Sequence, residues 1–184
     1  MSFWLTFQDR LRLAHFDEVA ISMARAVAAR RDEKLLDIGG GTGVLTEYFG
    51  QGFGEVAIVE PNARRRRYGE GRRPALRFHD ARAEHLPFAA ASFDCLTAVG
   101  SFHHFKDHAA AANEAFRVLR PGSRFVLFEF NEGKSHGRRR SLDMVAGHMH
   151  FMGPGQLEAI LKKAGFRSMG AIDLDEGFIL TAIK

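Results

Sequence analysis

The stretch LLDIGGGTGVL, Leu35 to Leu45, sets Gly39, Gly40, Gly41 and Gly43 directly behind a short apolar run. A chain gives up that much backbone order where a turn is tight or where backbone must approach a ligand closely. Lys34 to Ile38 reads as a strand, and Val44 to Phe49 as the helix that the glycine turn opens. At the end of a parallel sheet, strand, glycine turn and helix together make a nucleotide-type pocket. The glycines admit the ligand, and the first amides of the helix face it.

The spelling narrows the ligand. In the dinucleotide fingerprint G-x-G-x-x-G the third glycine packs helix on strand; counted from Gly39 that position is Val44, and counted from Gly41 it is Thr46. The phosphate loop G-x-x-x-x-G-K-[ST] is absent as well. What stands here is D-x-G-x-G-x-G, from Asp37 through Gly39 and Gly41 to Gly43. An acidic residue ahead of the glycines repels a pyrophosphate and suits an ammonium group, held directly or through water. Glu60, 21 residues beyond Gly39, ends the next apolar run, where a carboxylate can accept from both ribose hydroxyls. A nucleoside without phosphates and with a charged amino-acid tail fits both features, and S-adenosylmethionine is such a molecule.

Outward from this turn the chain alternates. Asp9 to Arg30 carries apolar residues at helical spacing (Leu13, Phe16, Val19, Met23, Val27), and strands are expected at Glu55 to Glu60, Ala75 to Phe78, Asp94 to Val99 and Arg124 to Phe130. Helices are expected from about Ala63, over Ala109 to Leu119 and over Gln156 to Ala164. Two last strands, Met169 to Leu174 and Phe178 to Ile183, are joined only by Asp175 to Gly177. That link is too short for a parallel crossover and predicts an antiparallel hairpin. The pattern predicts one α/β domain built on an open, mostly parallel sheet.

Composition bounds the rest. At 184 residues with 46% hydrophobic and 26% charged side chains, the chain can bury a core without staples. It has no apolar run of about 18 residues and no signal-peptide layout at its start, so a cytoplasmic location is expected. The single cysteine, Cys95, lies in the apolar run FDCLTAV and reads as inert packing. Net charge is +4, but Arg64 to Arg67 with Arg72 and Arg73 form one basic cluster and Arg138 to Arg140 another. Such runs can bind polyanions. Without interleaved aromatics or a nucleic-acid motif, solvated helix and loop faces are the favoured reading.

LLDIGGGTGVL, VEPNA, RAEHLPFAAASFDCLTAV, SFHHF and EAFRVLRPGSRFVLFEF, in this order and spacing, resemble the successive motifs of class I S-adenosylmethionine-dependent methyltransferases. The resemblance is strongest to the ubiquinone/menaquinone-type and other small-molecule enzymes, and runs from about Lys34 to Phe130. It implies a Rossmann-like, doubly wound sheet of seven strands in the order 3-2-1-4-5-7-6, with strand 7 antiparallel and helices on both faces. It further implies that Asp37 and the backbone of Gly39, Gly40, Gly41 and Gly43 hold the methionine end of the cofactor. By the same resemblance Glu60 takes the ribose hydroxyls, Pro61 lies near the adenine, and Ala83 and Glu84 meet the adenine edge. Relatives often carry Asp where this chain has Arg82, while Asp80 stands two residues earlier, so Asp80 and Glu84 both remain candidates for the adenine amino group. Gly100 would border the sulfonium, and S-adenosylhomocysteine would be the product.

Methyl transfer from a sulfonium is an in-line displacement in which the protein aligns the reactants and excludes water. A base is required only where the nucleophile must lose a proton, and histidine fits best. His104 and His103, in SFHHF, are the catalytic candidates. His148 and His150 fall in the segment 131–153, expected to cover the acceptor, beside an N-terminal helical region over 1–33. A metal reading would need His136 as third ligand, and no metal is expected. The expected partner is a small-molecule acceptor, with the chain monomeric or homodimeric. Two rivals stay open: an RNA- or protein-directed methyltransferase using the arginine clusters, and a non-catalytic S-adenosylmethionine-binding protein of the same fold.

Overall fold

The computed structural model describes residues 17–131 and 152–184. Along them run α1 (Asp17–Val27), β1 (Lys34–Ile38), α2 (Val44–Phe49), β2 (Glu55–Val59), α3 (Ala63–Glu70), β3 (Arg77–His79) and β4 (Phe93–Val99). A single 3-10 turn (Phe102–His104) follows, then α4 (His108–Val118), β5 (Leu119–Phe130), α5 (Pro154–Ala164), β6 (Arg167–Asp173) and β7 (Gly177–Ile183).

The strands form one sheet in the order β3-β2-β1-β4-β5-β7-β6. β1 pairs in parallel with β2 and β4, β2 with β3, and β4 with β5, whereas β7 runs antiparallel to both β5 and β6. This is the expected topology, and the short link after Asp173 closes the expected hairpin. The order of the strands reverses between β1 and β4. At such a switch point the loops leaving two neighbouring strands diverge and open a crevice at their carboxyl ends.

Helices on both faces explain why the central strands read as mainly apolar runs, with only a few buried polar residues such as Asp37, Thr97 and Glu129. On one face Leu36, Leu96, Phe125 and Leu180 pack with Ala112 and Ala115 of α4 and Leu157 and Leu161 of α5. On the other, Leu35, Cys95, Val126 and Ile179 meet Val19, Met23 and Val27 of α1 and Phe49 of α2. Each fully buried side chain of this size contributes about 1.5–3 kcal/mol. Cys95 is wholly buried, and burial pushes its thiol up to about 12, which makes it the inert packing residue expected. The last carbonyls of α1 find a partner in Arg124, which donates to Val27 and Ala28 and pairs with Glu33.

Two local expectations need correction. β5 begins at Leu119 rather than Arg124, because Leu119 already pairs with Phe93 before the register shifts around Pro121 and Gly122. Gly122, at φ 77°, takes the left-handed turn without ending the strand. The arginine cluster is not uniformly solvated. Arg73 is 8% exposed, donating to the Thr42 carbonyl and to Glu47. Arg66 joins the Glu60 carbonyl to Asp80, while Arg64, Arg65 and Arg67 are exposed as expected. The expected acceptor-side segment, with His136, Arg138 to Arg140, His148 and His150, lies almost wholly outside the described residues, as does the start of the N-terminal helical region.

Candidate functional site

The glycine turn leaves β1 with Gly39, Gly41 and Gly43 at φ 78°, 64° and 78°, conformations that favour glycine. Space matters as much as dihedrals. A Cβ on Gly39 would stand 2.7 Å from Ser101 Cβ, and one on Gly40 only 2.5 Å from Asp37 Oδ2. Ser101 Oγ donates to the Ile38 carbonyl at 2.7 Å, so the loop leaving β4 is locked against the loop leaving β1. The turn is therefore a cradle whose backbone, stripped of side chains, lines the crevice.

Asp37 braces that cradle from behind. It is 2% exposed, and its carboxylate accepts from Thr46 Oγ1 at 2.5 Å and from Thr97 Oγ1 at 2.8 Å. β1–β4 pairing sets Asp37 opposite Thr97, and the helix opened by the glycines brings Thr46 round. Burial pushes the Asp37 carboxyl from 3.8 up to about 6; the two hydroxyls oppose the rise and the Glu60 charge adds to it.

Glu60 leaves β2 at the same edge, 3% exposed. Its Oε1 accepts from the Asn62 amide at 2.7 Å, which fixes the carboxylate. Asn62 in turn caps α3 by accepting from the Arg64 and Arg65 amides. Pro61 between them is exposed.

The two adenine-edge candidates differ. Asp80 follows β3, its side chain 69% exposed and held by Arg66 at 2.7 Å. Glu84 turns toward the loop after the 3-10 turn, where Oε1 accepts from the Lys106 amide at 2.7 Å and that of Asp107 at 3.3 Å. Ala83 is buried beside it.

Past β4, Gly100 takes φ 56° and donates its amide to Phe128. His103 is 4% exposed, with Nδ1 2.6 Å from Glu129 Oε2. His104 is exposed, its ring centroid 4.0 Å from that of His103. The carboxyl ends of β1, β2, β3 and β4 thus gather Asp37, the glycines, Glu60, Asp80 and the His103–His104 pair along one edge. Thr46, Thr97, Ser101, Arg66 and Glu129 were not foreseen; apart from their polarity, nothing in the sequence marks them.

Among the described residues no cluster of histidine, cysteine or carboxylate side chains could hold a metal, and no helix is long and apolar enough to cross a membrane. The site residues fit a phosphate-free nucleoside. Fixed Glu60 offers a hydroxyl acceptor, the glycine cradle offers backbone close to a tail, and no lysine or arginine clamp stands ready for phosphate within the glycine turn itself.

Comparison with known proteins carries the same signature. Residues 13–169 match the family model described as a methyltransferase domain. The ubiquinone/menaquinone biosynthesis C-methyltransferase UbiE of Methylococcus capsulatus is 28% identical over 88% of this chain and 77% of its own length. UbiE of Cronobacter sakazakii is 32% identical over 74% of this chain, and the match spans only 57% of that relative's length. The geranyl diphosphate C-methyltransferase of Streptomyces coelicolor, solved with magnesium, geranyl diphosphate and S-adenosylhomocysteine, superposes with a TM-score of 0.76 over 91% of this chain and 77% of its own, at 15% identity. The chain belongs to the methyltransferase-domain family. Within it, fold and sequence define a class I S-adenosylmethionine-dependent methyltransferase.

Proposed function

We propose that this methyltransferase acts on a small molecule and forms a carbon–methyl bond. The observation that carries the reading is the match to C-methyltransferase relatives across most of the described fold. The cofactor, when bound, supplies a methyl group already activated on a sulfonium.

The chain's own residues hold and orient. Glu60, steadied by the Asn62 amide, accepts from the two ribose hydroxyls. The Gly39, Gly40 and Gly41 backbone meets the methionine end, with Gly43 opening α2 behind it. Asp37 contributes a buried negative charge from beneath the cradle rather than a direct contact, since it is 2% exposed and its Oδ2 lies directly under Gly40. Asp80, at the end of β3 and largely open to solvent, is the better placed of the two adenine-edge carboxylates, with Glu84 turned toward the Lys106 and Asp107 amides through Oε1. Pro61 and Ala83 flank the ring, and Gly100 borders the reacting sulfur. His103 and His104 stand on the acceptor side. Fixing both reactants in line and keeping water away supplies most of the acceleration in such a displacement.

The test is transfer of a labelled methyl group from S-adenosylmethionine to a panel of hydroxylated aromatics, with the product bond assigned by carbon NMR. A C–CH3 product supports the proposal. Products methylated only at oxygen or nitrogen, or transfer only to RNA, contradict it.

A further inference from the structure

Of the four arginines Arg64 to Arg67 on α3, Arg66 alone is drawn in, its side chain 12% exposed while the other three are exposed. Its amide donates to the Asn62 carbonyl at 3.0 Å, and helical side chains lean toward the N-terminus of their helix. The guanidinium therefore reaches back past the cap to the ends of two strands. Nη1 donates to the Glu60 carbonyl at 2.8 Å, and Nη2 to Asp80 Oδ2 at 2.7 Å. The β2–β3 register pairs Val59 with His79, and the Glu60 amide donates to the His79 carbonyl, so Glu60 and Asp80 leave neighbouring strands side by side. One planar group thus joins the residue proposed for the ribose to the carboxylate proposed for the base.

Stability does not account for this arrangement. An ion pair whose carboxylate is 69% exposed contributes little to folding, and a cation near the start of a helix opposes the helix dipole. α3 has no acidic residue in its first turn to offset that charge. What the contact does is fix direction. Arg66 takes Oδ2 of Asp80, while Oδ1 has no partner among the described residues.

We propose that Arg66 is a positioning residue for base selection: it holds Oδ2 of Asp80 so that Oδ1 accepts from the 6-amino group of the cofactor's adenine. This rests on the cofactor reading above. A base with an amino group at this edge donates to Oδ1. A base with an oxygen there sets two acceptors against each other, and a site built to bond an N–H rejects such an analogue. Hypoxanthine does carry an N1–H beside its oxygen, but Asp80 would have to turn to meet it, and Arg66 prevents the turn.

Titration calorimetry with S-adenosylhomocysteine and S-inosylhomocysteine, in which an oxygen replaces the 6-amino group, separates this role from a structural one. The wild type should prefer the adenosyl ligand by about 10–100-fold, the worth of one hydrogen bond to a charged group. Arg66→Met keeps the apolar length and removes the fork, which frees Asp80 to turn to either base, so the preference should fall to within about threefold. A merely structural loss weakens both ligands alike, so a variant of lower affinity with an unchanged ratio overturns the proposal. Asp80→Asn, at an exposed position, gives a second test that does not depend on the folding of Arg66→Met. Arg66 claims the amide oxygen and leaves the NH2 to the base, so this variant should prefer S-inosylhomocysteine. An Asp80→Asn protein that keeps the wild-type preference overturns the proposal, as does a wild type that binds both ligands equally. A folded wild type that binds neither would instead defeat the cofactor reading beneath it.

Discussion

Asp37→Asn isolates the cost of keeping a carboxylate beneath the glycine cradle. The folded-state value of about 6 lies above the unfolded 3.8, so the native chain holds the extra proton between these pH values. By linkage, stability is then lost as pH rises through that window, and the full penalty is present above about pH 6. A displacement of about 2 pH units corresponds to about 3 kcal/mol. Asn keeps the shape, and the Thr46 and Thr97 hydroxyls can rotate to suit its amide, but it carries no charge. The variant should therefore match the wild type near pH 4 and exceed it by about 3 kcal/mol near pH 7.5. For a chain of this size that is roughly 6–12 °C in Tm. Urea titrations of both proteins at several pH values, without ligand, measure the difference directly and cancel every other titrating group. A stability difference independent of pH, or one that grows toward acid, would refute the reasoning.

The glycine cradle gives a second expectation: Gly39→Ala adds a left-handed alanine and a clash with Ser101, and should cost about 2–4 kcal/mol by urea denaturation. Gly170→Ala, where a Cβ meets nothing within 4 Å, should change stability by less than about 0.5 kcal/mol. Neutralising Arg64, Arg65 and Arg67 together to Gln should leave methyl transfer to a small acceptor unchanged, since all three are exposed and Arg66 and Arg73 make the internal contacts. A loss of activity restored by low salt would favour a polyanionic substrate instead.

The fold was legible because strand–glycine–helix spelling and a hairpin link of three residues are local signals. LLDIGGGTGVL fixed the switch-point turn, and Asp175 to Gly177 fixed the antiparallel edge. The ends of elements moved where tertiary pairing overrode a local stop, as at Pro121–Gly122, which reads as a turn between a helix and a strand yet lies inside β5. The site was legible in part for the same reason. Asp37, the glycines and Glu60 announce themselves by spacing to one another. Thr97, 60 residues from Asp37, becomes its partner only through the β1–β4 register. Glu129 looks like one polar residue in RFVLFEF until the β4–β5 pairing brings it to His103. Arg66 and Arg73 hide within a basic run because composition does not tell a solvated guanidinium from one that binds a carbonyl.

In the proposed function Glu60 is the ribose acceptor of a phosphate-free nucleoside with an amino-acid tail, and the cofactor site depends on it. Titration calorimetry of S-adenosylhomocysteine against the wild type and Glu60→Ala tests it most directly. Two hydrogen bonds to a carboxylate, each contributing about 1.5–3 kcal/mol, are removed by the substitution. The wild type should bind with saturation, and the folded variant should bind at least about 100-fold more weakly. No binding by a folded wild type, or equal affinity in the two proteins, would contradict the claim.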